Sequence, residues 1–134
     1  IQDTLGKGTG EIIQMGNTTT EPGIIYSLQS DSTTWTKPDI DVEGKIINML
    51  AVALGTNSTT HGMLIRGMAQ VSQSGQISMG QPVYIHEGGI ITGSVASYGT
   101  DDIARVVGHC VGGSANDSSA SIYFNPDNTW VVKS

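Results

Sequence analysis

The segment MLIRGMAQVS, residues 63–72, decides the fold class. Its small or apolar residues alternate with longer or polar ones, with Ile65, Gly67, Ala69 and Val71 on one face and Arg66, Met68 and Gln70 on the other. A repeat of two residues is the pattern of a β-strand with one buried face. Because Gly67 and Ala69 are small, we expect a neighbouring strand or sheet to approach closely there.

Similar apolar clusters, rich in β-branched residues, recur along the 134-residue chain, and turn sequences separate nearly all of them. No sustained helical stripe free of Gly is present. The predicted strands cover residues 11–15, 24–28, 33–36, 45–54, 63–72, 82–86, 90–92, 103–111, 121–124 and 129–133. This spacing predicts an all-β fold, a compact sandwich or barrel of about ten short, mainly antiparallel strands.

The length suits one domain. Residues 1–10 contain Gly6, Gly8 and Gly10 and are predicted to form a flexible glycine-rich arm, which leaves residues 11–134 as a single β domain. The chain starts at Ile1 rather than Met, so we expect a processed product or a piece of a longer protein.

Three segments, residues 22–35, 81–92 and 119–130, each contain an apolar residue beside a tyrosine, then a polar turn, then an aromatic or β-branched residue. Each is predicted to be a β-hairpin. The third would close the fold at the C-terminus, with Trp130 and Val132 inserted on one face. Truncation at Asn125 should then abolish folding.

Residues 46–54 are apolar on both sides of the pleat, so this strand should be covered on both faces. The cover is either two layers of this chain or one layer and a partner subunit. In the second case, the candidate interface residues are Ile46, Met49, Leu50, Val52, Leu54 and Met68.

The formal net charge is −6, and the six Lys and Arg residues are scattered, which argues against nucleic acid as a partner. The longest apolar run, residues 49–54, is far shorter than a membrane-spanning helix, so membrane insertion is not expected. Cys110 is the only cysteine and cannot form an intramolecular disulfide. We expect it to be a small core residue.

Motifs for catalysis and cofactor binding are missing from the sequence. The Gly-x-Ser-x-Gly turn of many hydrolases is absent, and GKGTGE at residues 6–11 lacks the order of a phosphate-binding loop. His61, His86 and His109 do not have metal-ligand spacing. We therefore predict neither an enzyme nor a metal or cofactor site. Trp35, Tyr98 and Trp130 are candidate glycan or partner contacts, although the two tryptophans lie in predicted strands and suit packing within the sheets equally well.

Four segments, residues 50–70, 78–93, 102–112 and 122–131, resemble in this order a β-rich module of virion structural proteins of tailed phages, especially marine and cyanobacterial ones. GQPVYI at residues 80–85 and IARVVG at residues 103–108 are also similar to elements of small capsid-decoration proteins. The match spans about residues 44–133.

The resemblance implies a non-enzymatic module that assembles as a homotrimer on a particle. We expect a virion structural protein made and folded in the cytoplasm of a bacterial host. A trimerising tail-fibre or spike domain is the leading hypothesis, with itself, other phage structural proteins and a host-surface glycan as partners. The alternatives are a capsid-decoration protein and a carbohydrate-binding module.

Overall fold

The protein is all-β in the structure, which is a computed structural model. Residues 8–29, 34–40, 46, 48–73, 77–94, 98–100, 102–112, 119–126 and 129–132 are described. The strands are β1 (Gly8–Ile13), β2 (Ile25–Leu28), β3 (Trp35–Thr36), β4 (Leu50–Ala53), β5 (Met63–Ser72), β6 (Pro82–Ile85), β7 (Ile91–Thr92), β8 (Ile103–Ala104), β9 (Val106–Gly112), β10 (Ser119–Phe124) and β11 (Val131–Val132). A short 3-10 turn, Glu87–Gly89, precedes β7.

Nine strands form one curled antiparallel sheet. Their order is β3-β2-β4-β5-β10-β9-β6-β7, with β1 added to β5, while β8 and β11 form a separate pair. The β7 edge returns toward the middle of the sheet, because Ile91 forms a parallel bridge with Gln73, directly after β5. The Ser72 N–H also donates to the Gly23 carbonyl, just before β2, at 3.0 Å. The sheet therefore curls into a half-barrel.

The longest strand, β5, organises this sheet because it pairs with three others. β1 runs along one edge, from Gly8 opposite Ala69 to Ile13 opposite Met63. On the other edge, β4 pairs only with Met63 and Leu64, while β10 pairs with residues 67–72. β4 and β10 thus diverge at Ile65 and Arg66, which lie between the two ladders.

Two apolar clusters fill the two faces of the β2–β4–β5 region. The main core lies inside the half-barrel and contains Phe124, the largest fully buried side chain, with aliphatic residues from most strands. A second core on the opposite face consists of Tyr26, Trp35, Ala51, Ala53 and Met63. Full burial of each Val, Leu, Ile, Phe or Met side chain contributes about 1.5–3 kcal/mol, so both clusters stabilise the fold.

The double-sided apolar pattern of β4 is explained by these two cores. Leu50 and Val52 point into the main core, and Ala51 and Ala53 point into the second core. The second core is covered by Ile13 and Met15, which belong to β1 and the segment that follows it. This chain therefore supplies both layers of cover at β4.

The predicted close approach at Gly67 is present. Gly67 lies opposite Gly10 of β1, and their φ angles are +139° and +148°. A Cβ atom on Gly67 would overlap the Thr9 carbonyl oxygen, and one on Gly10 would overlap the Arg66 carbonyl oxygen. Only glycine permits this backbone contact without displacement of one strand.

The all-β prediction is confirmed, and the predicted strand at residues 63–72 matches β5 in full. The first two hairpins are present as the β2–β3 and β6–β7 pairs. The predicted strand at residues 45–54 is shorter, with β4 at Leu50–Ala53, and the one at residues 103–111 is interrupted at Arg105.

Both predictions about the chain ends need correction. Residues 8–10 of the predicted flexible arm belong to β1 and pair with β5, whereas residues 1–7 lie outside the described residues. The closing C-terminal hairpin is wrong, because β10 pairs with β5 and β9, and β11 pairs with β8. Val132 is 45% exposed rather than inserted, since the main core is already filled by inward residues of β10.

Candidate functional site

A row of side chains crosses the outer face of five strands. Thr9 of β1 pairs with Met68 of β5, Met68 with Tyr123 of β10, Tyr123 with His109 of β9, and His109 with Pro82 of β6. We call these five residues the outer row. Tyr123 is 39% exposed, Met68 is partly exposed, and the other three are exposed.

The sheet holds the outer row in place through its inward residues. The neighbours of Tyr123 along β10, Ile122 and Phe124, are fully buried in the main core. Beside the row, the largely buried Gln70 donates to the Ser119 hydroxyl at 2.8 Å and accepts from the Ser121 hydroxyl at 2.5 Å. This part of the surface is therefore rigid, and its aromatic, thioether and imidazole groups are of types that suit protein docking.

A cleft of about 330 Å³ opens where β4 and β10 diverge from β5, and we call it the fork cleft. Its polar wall consists of Asn48, Arg66, Arg105 and Asn125. Its apolar wall consists of Met49, Leu50, Ile65 and Pro126. Asn48 and Met49 directly precede β4, whereas Asn125 and Pro126 directly follow β10, so the divergence of these strands creates the cleft.

Arg105 is held rigidly at the base of the polar wall. It lies in the interruption between β8 and β9 and is only 5% exposed. Its Nη1 donates to the carbonyl oxygens of Ile46 at 2.7 Å and Asn48 at 2.9 Å. Arg105 therefore fixes the backbone that presents Asn48 to the fork cleft.

Arg66 is the exposed cation of the same cleft. Its side chain is largely exposed, and its Nη1 lies 3.7 Å from Oε1 of Glu11 on β1. An exposed ion pair of this length contributes little to stability. The guanidinium is therefore available for exchange with another carboxylate.

The described basic residues of this acidic protein are unevenly placed. Three of the six basic residues, Lys7, Lys45 and Lys133, lie outside the described residues. Lys37 forms an ion pair with Glu21, whose hydrogen bond raises the pKa of the Lys37 ammonium. The other two basic residues both line the fork cleft, and none of the described lining residues is Asp or Glu.

The three predicted aromatic contacts lie in different places. Trp35 is 4% exposed in the second core, and its Nε1 donates to the Met15 carbonyl at 3.2 Å. Tyr98 is 3% exposed in the main core, where its hydroxyl donates to the Ile85 carbonyl. Trp130 packs against the main core and is only partly buried. Of these rings, Trp130 alone presents surface that a glycan could contact in this conformation.

The environment of Tyr98 is that of a structural residue. Burial raises the pKa of its hydroxyl well above the ordinary value, and the nearby carboxylates of Asp102 and Glu87 raise it further. The ring stacks on His86 with centroids 5.5 Å apart. Tyr98 therefore stays protonated and packed under physiological conditions.

The predicted interface residues also separate by burial. Ile46, Leu50 and Val52 are within the main core, and Leu54 packs against it while partly buried. Met49 is 47% exposed, and Met68 is partly exposed on the outer row. In this fold Met49 therefore offers the most surface to a partner, Leu54 and Met68 offer less, and Ile46, Leu50 and Val52 are occupied by contacts within the chain.

The three histidines are not brought together with other potential ligands. Among the described residues, no group of three or more His, Cys, Asp or Glu is placed to hold a metal ion. His61 and His109 are exposed, and Cys110 is buried in the main core as predicted. Across the same described part of the chain, no helix has the length and hydropathy needed to cross a bilayer.

Sequence reasoning did not identify the outer row, which contains Tyr123 and His109. It also did not identify the fork cleft, which the two arginines line. Tyr123 stood out only as an aromatic residue of a predicted hairpin, and Arg66 and Arg105 only as scattered charges. Comparison of the chain with protein-family models, with curated proteins and with solved structures finds no match. The geometry and the sequence resemblance therefore carry the functional interpretation.

Proposed function

We propose that this chain is a structural module of a phage virion, a tail-fibre or spike domain that assembles as a homotrimer. The sequence resemblance supports the class of protein. The outer row supports a docking role, because it presents Met68, Tyr123 and His109 on a sheet that is already rigid in the single chain. Aromatic and Met residues are enriched in protein interfaces relative to other surfaces.

In the proposed trimer, Tyr123 is the central contact of each subunit interface. It occupies the middle of the outer row, with Met68 on one side and His109 on the other. Burial of such an amphipathic ring supplies apolar contact, while its hydroxyl retains a polar partner. Met49, beside the fork cleft, is a second exposed apolar residue for contact with another subunit or particle protein.

Light scattering tests the oligomeric state and the role of the outer row together. The purified chain should have three times its monomer mass of 14.0 kDa at micromolar concentration. Tyr123→Ser should shift the protein to monomer without loss of the β-sheet spectrum, because the side chain is 39% exposed. Met79→Ser is the matched control, since Met79 is 64% exposed but lies outside the outer row. A monomeric wild-type chain, or a trimeric Tyr123→Ser variant, would refute this interface.

Particle labelling tests the location. An antibody against the chain should label the tails of virions released from cells that produce it, as seen by immunogold electron microscopy. Labelling over the head would instead support capsid decoration. Virions that contain no copy of the chain by mass spectrometry would overturn the proposal of a virion protein.

A further inference from the structure

We propose that the fork cleft is a binding site for a small organic carboxylate. The proposal concerns a site other than the outer row and does not depend on where the module sits on a particle. It follows from a cleft that is lined by two arginines, two asparagines and four apolar residues.

The strand geometry builds this site before any ligand arrives. The β4 ladder ends at Leu64 and the β10 ladder begins at Gly67, so Ile65 and Arg66 are left between two diverging strands. Arg105, almost fully buried, fixes the opposite side through its hydrogen bonds to the carbonyls of Ile46 and Asn48. A preformed cleft loses little conformational entropy on binding.

The charge of the fork cleft selects an anion. Its two arginines belong to a chain of net charge −6, and none of the described residues that line the cleft is Asp or Glu. Arg66 reaches the cleft from the exposed side and supplies the contact group.

The chemistry favours a carboxylate over a phosphate. A guanidinium offers parallel N–H donors that match the two oxygens of a carboxylate, and Arg66 already lies 3.7 Å from the carboxylate of Glu11. Phosphate cradles commonly use successive backbone N–H groups of a glycine-rich loop, whereas none of the described residues that line the fork cleft is glycine. The side-chain amides of Asn48 and Asn125 suit hydroxyl or amide groups adjacent to the carboxylate.

Two sources could supply this chemistry, a sugar acid or an acyl amino acid. A cleft of about 330 Å³ is at the small end of ligand pockets, which suits a ligand of this size. Such a ligand should bind with a Kd of about 1 mM. Its affinity should fall as salt is added, since Arg66 is exposed.

Titration of the labelled full chain, followed by two-dimensional nuclear magnetic resonance, tests the site. D-Glucuronate and N-acetyl-L-glutamate are the two probes, and their neutral matches are D-glucose and N-acetyl-L-glutamine amide, in which both carboxylates are replaced by carboxamides. At least one probe should cause saturable shifts of the Asn48 and Asn125 side-chain amides, while its neutral match should not. Equal shifts with a neutral match, tighter binding of inorganic phosphate, or no saturable shift with either probe would overturn the proposal.

Two variants separate binding from a general change in structure. Arg66→Gln should lower the affinity for the probe about tenfold or more, because a charge-assisted hydrogen bond is lost. Glu11→Gln should raise the affinity for the probe about twofold, since the substitution removes the carboxylate that competes for Arg66. Lys37→Gln, a charge change in a different part of the fold, should leave the affinity unchanged. An unchanged affinity in Arg66→Gln, or a weaker one in Glu11→Gln, would refute the assigned contact.

Discussion

The first and last strands, β1 and β11, show that a chain end is anchored by what it pairs with and covers. β1 pairs with β5 over six residues, from Gly8 to Ile13, and the segment after it covers the second core. β11 pairs with β8 over two residues, Val131 and Val132, whose side chains are 63% and 45% exposed. β1 is therefore the more strongly anchored of the two strands, and β11 is peripheral.

Removal of β1 should have the largest effect. Deletion of residues 1–13 takes away one edge partner of β5 and removes Ile13, which pairs with Met63 and packs against the second core. We expect a loss of about 5 kcal/mol or more in the free energy of unfolding, which equals the whole stability of many domains. The deleted protein should lack a cooperative transition in urea, measured by circular dichroism.

The matched deletion removes β11. A chain that ends at Pro126 loses the partial packing of Trp130 and the two-residue pair with β8. It should still unfold cooperatively, with its free energy of unfolding lower by about 2 kcal/mol. A folded protein without β1, together with an unfolded protein without β11, would reverse the comparison between the two ends.

The two tryptophans sharpen the comparison at single residues. Trp35 is buried beneath the segment after β1, whereas Trp130 is partly exposed next to β11. Trp35→Ala should lower the free energy of unfolding by about 4 kcal/mol. Trp130→Ala should lower it by about 1.5 kcal/mol, because less apolar surface is released. Equal losses in urea titrations would show that the C-terminal region packs as tightly as the second core.

The contact between Gly67 and Gly10 tests whether the close backbone approach anchors β1. Gly67→Ala places a methyl group against the Thr9 carbonyl at a φ of +139° and should cost about 3 kcal/mol. Gly80→Ala is the control, since Gly80 also has a positive φ but no atom within 4 Å of the new Cβ. The control should cost about 1 kcal/mol. If both variants lose the same stability in urea, the backbone contact does not constrain β1.

The local sequence pattern correctly predicted the strands and hairpins whose formation is determined by residues close together in the sequence. The alternation at residues 63–72 identified β5, and short polar turns identified the β2–β3 and β6–β7 hairpins. The same turn signal failed after β10, because β5 and β9 already occupy both edges of β10. Local turn chemistry does not reveal whether a strand edge is already occupied.

The candidate surfaces were harder to predict because they arise from pairing between distant strands. Met68 was identified from its position in β5, but its neighbour Tyr123 follows only from the register between β5 and β10. Arg66 and Arg105 line the same cleft only because β4 and β10 diverge from β5. Neither feature leaves a short motif in the sequence.

The smallest expected effect concerns exposed apolar residues on the two end strands. Ile12 of β1 is 47% exposed and Val131 of β11 is 63% exposed. Ile12→Ser and Val131→Ser should each change the free energy of unfolding by about 0.5 kcal/mol or less, as is usual for surface substitutions. Such a result would mean that backbone pairing and the cover over the second core anchor β1. The exposed side chain of the same strand would contribute little to the free energy of unfolding. A loss well above 1 kcal/mol in Val131→Ser alone, measured by urea titration, would mean that β11 is covered in solution and that the C-terminal end is the better anchored of the two.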